Sequence, residues 1–322
     1  MKRRFLAKAL SFFGIQAILF GSIVAFYIAN KDQSNQNYFA ATIDKHELLN
    51  SQPGPRMIFV GGSNVAFGID SEYIAQQLNF NPVNMGLHAG LGLEFMLKEV
   101  EASLKPGDLV IVSLEYEHFV DLQPHLPERL FSTLDSRPAN LQFVPYYYAP
   151  ELSDSFLNYI GSMLRMTKKI AAGQVESEPV YRRGGFDSYG DVISHFNADG
   201  RNLSNDTAVI DATPQSIQDA LQVLNNFNEI AESRGARVVY SYTPFLERLF
   251  EQNANNIQLI EQTMNDRSEF MIIDSPEDLA LPDHYFFDSA YHLNQKGVRF
   301  RATHIANSLK AMLEHEDLQG KR

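Results

Sequence analysis

Serine, aspartate and histidine occur in this chain in three short segments from which covalent chemistry could be assembled. Gly61-Gly62-Ser63-Asn64 follows a short apolar run at 57–60. A serine at such a turn exposes its hydroxyl, and an amide at the start of the next helix can stabilise a developing oxyanion. Asn84-Met85-Gly86-Leu87-His88-Ala89-Gly90 includes the end of a second run, at 83–85, and a glycine there lets a backbone amide approach a substrate closely. Asp288-Ser289-Ala290-Tyr291-His292-Leu293-Asn294 precedes the last helical pattern. A carboxylate four residues before an imidazole can fix the ring tautomer and stabilise the imidazolium. Taken singly, each piece is ordinary, since a serine after a strand is commonly a turn residue and an Asp near a His is commonly a surface pair.

The elements that must position these residues follow from hydrophobic pattern. Short apolar runs at 57–60, 83–85, 109–114, 238–242 and 270–273 read as buried strands. Between them lie helical stripes: Leu93, Leu97, Val100 and Leu104; Ile217, Leu221, Leu224 and Ala231; and Val298, Ala302, Ile305, Leu309 and Met312. Asp70, Thr213 and Asn294 are placed as helix caps, Gly235 as a stop, and one further helix is expected at 246–264. Alternating strands and helices imply βαβ units, a parallel sheet covered on both faces, and ligands beyond the C-terminal strand ends. All three chemical segments fall at such ends.

Between 119 and 211 the pattern weakens, apart from a helix expected around 152–170. The block is too long for a simple connection and reads as an insertion at about 120–211. Within it, Tyr146-Tyr147-Tyr148 could stack on sugar rings or fill a core, Gly184 to Asp191 form a loop able to turn tightly, and Lys168-Lys169 and Arg182-Arg183 are local basic spots.

Charge and composition limit the function further. The 322-residue chain carries 27 basic and 39 acidic side chains and no cysteine, which removes disulfides, thiolate metal sites and cysteine nucleophiles. Lys2, Arg3, Arg4 and Lys8 form a leader at 1–8, followed by an uncharged apolar stretch at 9–29. As a helix this stretch spans about 31 Å, the thickness of a bilayer's hydrocarbon core. The basic flank predicts an N-terminus inside and a domain outside. Its end, Tyr27-Ile28-Ala29, is a poor signal cleavage site. The polar stretch 30–55, ending in Gln52-Pro53-Gly54-Pro55, reads as a tether to a domain at 56–322. Without the leader the balance is 23 basic against 39 acidic residues, so no nucleic-acid partner is expected. No Gly-x-x-x-x-Gly-Lys loop occurs and Gly86, Gly90 and Gly92 do not form a dinucleotide fingerprint, so no cofactor is expected. Asp283, His284, Asp288 and His292 could gather a metal, but there is no His-Glu-x-x-His helix and no metal site is expected.

In chain order, Gly62-Ser63, Asn84-Met85-Gly86 and Asp288…His292-Leu293-Asn294…Gly297 resemble the SGNH/GDSL hydrolase superfamily, most of all its membrane-anchored DltD-like and alginate-acetylation-like branch. The resemblance covers about 56–118 and 237–313. It implies a flavodoxin-like, three-layer α/β domain, with Ser63 as nucleophile, His292 as general base and acid, Asp288 orienting His292, and an oxyanion hole from the amides of Ser63 and Gly86 with help from Asn64. The implied function is a serine esterase or O-acyltransferase in the inner membrane, its domain in the periplasm. It would act on acyl esters of a cell-surface or secreted polysaccharide, beside a membrane acyltransferase or glycan-assembly protein.

Two departures bear on this. Gly62 stands where many members carry an acidic residue, and Ser113-Leu114-Glu115-Tyr116 stands where many carry Gly-x-Asn-Asp. An ionised Glu115 cannot donate to an oxyanion, which leaves an inactive polysaccharide- or partner-binding scaffold as the alternative.

Overall fold

The computed structural model describes residues 2–123, 126–176 and 178–319. Five of the short apolar segments become parallel strands: β1 (Arg56–Val60), β2 (Asn81–Asn84), β3 (Leu109–Val112), β4 (Arg237–Tyr240) and β6 (Met271–Ile272). They lie in the order β2-β1-β3-β4-β6, the doubly wound order with its switch point between β1 and β3. A separate pair joins β5 (Phe245–Leu246) to β7 (Ala280–Leu281). Side chains alternate across each strand, so β1 feeds two cores. Ile58 and Val60 join Val83, Val110, Leu93, Leu97 and Leu224 on one face. Met57 and Phe59 join Leu109, Ile111, Ile74, Ile305 and Leu309 on the other.

Helices α6 (Leu93–Glu101) and α9 (Pro214–Ser233) cover the first face, and α5 (Ser71–Gln77) with α12 (Gln295–Gln319) cover the second. The expected caps form. Asp70 accepts from the Tyr73 amide at 2.8 Å, Thr213 from the Ser216 amide at 3.1 Å, and Asn294 from the amides of Lys296 and Gly297. Gly235 ends α9 with φ +75°. The helix expected at 246–264 is instead two, α10 (Glu247–Gln252) and α11 (Ala254–Arg267). Asn253 separates them, its side chain bonding the amide of Ile210 and the carbonyls of Ala208 and Leu249.

The N-terminal α1 (Lys2–Ala29) is long and apolar enough to cross a membrane. The stretch 30–55 corrects the tether reading, because it is folded onto the domain. It holds α2 (Lys31–Ser34) and α3 (Ala41–Ser51), and it buries Tyr38, Phe39, Lys45, His46 and Leu49. Distant groups satisfy several of its buried polar side chains. Lys45 donates to the carbonyls of Asn84 and Gly190 at 2.8 and 2.6 Å, His46 pairs with Glu99 at 3.0 Å, and Tyr38 donates to Leu87 O at 2.7 Å. The block at about 120–211 supplies α7 (Pro127–Ser136) and α8 (Ala149–Ala171), which pack together and against the end of α1.

Candidate active site

The turn after β1 places Ser63 at the first position of the four-residue helix α4 (Ser63–Ala66). A network of almost wholly buried groups holds this turn. The Asn64 amide donates to Glu115 Oε1 at 3.0 Å, while its side chain donates to Ser113 O at 3.1 Å and Thr243 Oγ1 at 2.9 Å. Arg301, reaching up from α12, donates to Asn64 O at 2.7 Å and Ser113 Oγ at 2.6 Å. Burial lowers the Arg301 guanidinium to about 10, partly offset by Asp274 and Glu115, so it remains a cation at neutral pH.

Glu115 is buried beneath the same turn. Burial raises its pKa, but His118, whose Nε2 lies 3.7 Å from Glu115 Oε2, and the Asn64 amide outweigh that and leave it below the ordinary value. A Cβ on residue 62 would fall 2.5 Å from both Glu115 oxygens and from the Ala89 amide nitrogen. Gly62 is therefore a glycine because the carboxylate from the end of β3 fills its side-chain space. The two departures noted in the sequence are thus one arrangement, in which an acid adjoins the serine turn but comes from β3.

The opposite wall carries the histidine. His292 Nδ1 and Asp288 Oδ1 are 2.7 Å apart, and the Tyr181 hydroxyl donates to Asp288 Oδ2 at 2.5 Å while lying 3.3 Å from His292 Nδ1. Burial raises the Asp288 pKa, but hydrogen bonding and charge from His292, with the Tyr181 bond, leave it below the ordinary value. An ionised Asp288 fixes the proton on Nδ1, leaving Nε2 as the basic nitrogen. The imidazole stacks on Phe67, centroids 4.2 Å apart and rings 9° from parallel. The loop is also tied by His195 Nε2 donating to Leu293 O at 2.9 Å and by Tyr291 donating to Glu117 at 2.7 Å.

Ser63 and His292 line one cavity of about 550 Å³ with His88, Tyr181, Arg129 and Met163. Ser63 Oγ and His292 Nε2 are not hydrogen-bonded, an arrangement common in ligand-free serine sites. His88 accepts from the Gly90 amide at 2.9 Å, and burial holds it near 4, so it is neutral at pH 7.

The expected oxyanion donors need correcting. The Gly86 amide already donates to Asn84 Oδ1 at 2.8 Å, and a Cβ there would meet Val65 at 2.6 Å. Gly86 is required for close packing on α4, and its amide is engaged within the protein. Asn64 is engaged through both amide and side chain, as above. Of the three candidates, the Ser63 amide is the one without a hydrogen bond to protein among the described residues.

Tyr181 has no signal in the sequence beyond its place beside Arg182-Arg183, yet it brings the insertion into the site. Tyr146, Tyr147 and Tyr148 do not line this cavity. Tyr148 is buried and donates to Leu122 O, Tyr147 bonds Glu94, and Tyr146 faces outward. The glycine-rich loop packs on Lys45, and its Asp191 accepts from Asn84 Nδ2 at 2.7 Å, which fixes the side chain that occupies the Gly86 amide. Asp283 and His284 lie in a one-turn 3-10 helix, Asp283–Tyr285, and no group of three potential metal ligands occurs among the described residues. The chain matches no model of a known protein family and none of the curated proteins searched.

Proposed function

We propose that this chain is an SGNH-like serine esterase or O-acyltransferase, anchored in the cytoplasmic membrane by α1, that acts on acyl esters of an extracytoplasmic polysaccharide. The observation that carries the reading is the Asp288–His292 pair, 2.7 Å apart, whose His292 lines the same cavity as Ser63 beyond the C-terminal ends of parallel strands. Arg4 and Lys8 precede the apolar part of α1, which supports an N-terminus inside and a domain outside.

In the reaction, Ser63 Oγ attacks the acyl carbonyl and His292 Nε2 takes its proton. The imidazolium is stabilised through Nδ1–H by Asp288, and Tyr181 holds the other carboxylate oxygen. The Ser63 amide donates to the oxyanion. Collapse of the tetrahedral intermediate expels the alcohol, protonated by His292, and leaves an acyl-serine. Water or a sugar hydroxyl then gives up a proton to His292 and resolves the ester, so hydrolase and transferase differ only in the acceptor. A glycan-assembly protein or membrane acyltransferase beside it would supply acyl donor or acceptor.

The test is turnover of an acyl ester by the full-length protein, wild type against Ser63→Ala. Loss of activity in a folded variant supports the reading, and unchanged activity removes Ser63 from the mechanism. The engaged amides of Gly86 and Asn64 favour a second reading, a scaffold of the same fold that binds polysaccharide or a membrane partner without turnover.

A further inference from the structure

We propose that α8 is an interfacial helix that lies in the headgroup region of the bilayer and seats the catalytic cavity beside the membrane. The inference rests on the reading of α1 as a membrane anchor. It starts from how the foot of α1 is held. Tyr27 donates to Asp135 of α7 at 2.6 Å, and Tyr159 of α8 donates to the other oxygen of the same carboxylate at 2.7 Å. Val24 and Tyr27 of α1 pack with Ile160, Met163, Met166 and Ile170 of α8. The side of α8 that meets α1 is thus built around a fixed contact.

That contact lies at a telling depth. Val24 sits five residues inside the end of the apolar stretch, or about 7.5 Å at 1.5 Å per residue. Interfacial helices bury their apolar face about 5–10 Å into the headgroup and acyl boundary. A helix packed on α1 at this level cannot lie wholly clear of the bilayer that α1 spans.

The outer side of α8 suits that place. Phe156, Leu157 and Leu164 are 49, 78 and 38% exposed, and with the half-buried Ile160 they form one stripe at helical spacing. Arg165, Lys168 and Lys169 follow on the same helix, where they can meet anionic headgroups. In water an apolar stripe of this kind is unfavourable, and a lipid surface continuous with that around α1 covers it. Because Met163 and Met166 also line the cavity of Ser63 and His292, docking α8 fixes one wall of that cavity at the membrane surface.

The absence of cysteine makes a direct test clean. Single variants Leu157→Cys, Leu164→Cys, Asn158→Cys and Ile18→Cys of the full-length chain are labelled with an environment-sensitive fluorophore. Each is placed in nanodiscs of phosphatidylcholine with phosphatidylglycerol. Expected is several-fold stronger quenching by spin-labelled lipid at 157 and 164 than at 158, with aqueous iodide showing the reverse, and strong lipid quenching at 18. Lipid quenching at 18 with iodide quenching at 157 equal to that at 158 overturns the interfacial helix and leaves the anchor standing. Shielding at 157 from both quenchers also overturns it, since a protein contact then covers the stripe. No lipid quenching at 18 overturns the anchor and, with it, this inference.

Discussion

The turn that carries Ser63 is braced by groups with almost no exposure, whereas the loop that carries His292 is held partly by Tyr181 and His195 from the insertion. Under the serine lie Asn64, Glu115, Ser113, Thr243 and Arg301, all buried and contributed by α4, the segments that follow β3 and β4, and α12. Around the histidine, Tyr181 comes from the insertion and Asp288 is partly exposed. Ser63 is therefore positioned by the same network that holds the turns at the strand ends together, and His292 in part by a tyrosine from outside the sheet. Damage on the serine side should cost stability. Damage on the histidine side should cost rate.

The largest effect expected is from Arg301→Met. It removes the cation and leaves Glu115 and Asp274 without its charge, and breaking a buried charge network of this kind costs about 3–5 kcal/mol. A thermal midpoint close to wild type would show that the turn is held by something else. Next is acid. Burial lowers His195 from 6.5 to about 4 in the folded protein. Its folded state therefore resists protonation: the stability is complete above pH 6.5, declines as pH falls toward 4, and loses no more from this group below that. Each unit by which folding lowers a pKa corresponds to about 1.4 kcal/mol. Denaturant midpoints at pH 7 and 4.5 should thus differ less in His195→Gln than in wild type; an equal difference removes His195 as a cause.

Gly62→Ala follows, at about 1–3 kcal/mol for overpacking against Glu115 and the Ala89 amide. Adding Glu115→Ala to that variant should relieve the clash, so that the two costs are not additive in a double-mutant cycle. Additive costs would separate the two residues. Smallest is Tyr181→Phe, where loss of one hydrogen bond is worth about 1 kcal/mol. The expected result is a roughly fivefold lower kcat, a thermal midpoint lowered by only about 2 °C, and an acid limb of the pH–rate profile moved to higher pH, because the Tyr181 bond helps hold the Asp288 pKa down. A midpoint lowered further, with an unmoved pH profile, would make Tyr181 merely structural.

The sequence made the sheet legible because strands buried on both faces read as apolar runs and their helices as stripes with caps. The places of Ser63 after the first strand and of Asp288 and His292 before the last helix were legible in the same way. The segment 30–55 was not legible, because Lys45 and His46 read as solvated until their partners, 39 and 53 residues away, are known. Glu115 read as a failed oxyanion donor for the same reason: its role depends on the empty side-chain space of Gly62, across the sheet. Gly86 read as a substrate contact because a glycine records only close approach, and not what approaches.

If the Asp288–His292 pair activates Ser63, this serine reacts with a fluorophosphonate. Labelling the full-length protein with a fluorophosphonate, followed by mapping of the adduct, tests it most directly. Expected is one adduct per chain on Ser63, absent in Ser63→Ala and much slower in His292→Ala. A folded wild-type protein that leaves Ser63 unlabelled, or labels it as fast without His292 as with it, would show that the pair does not activate Ser63.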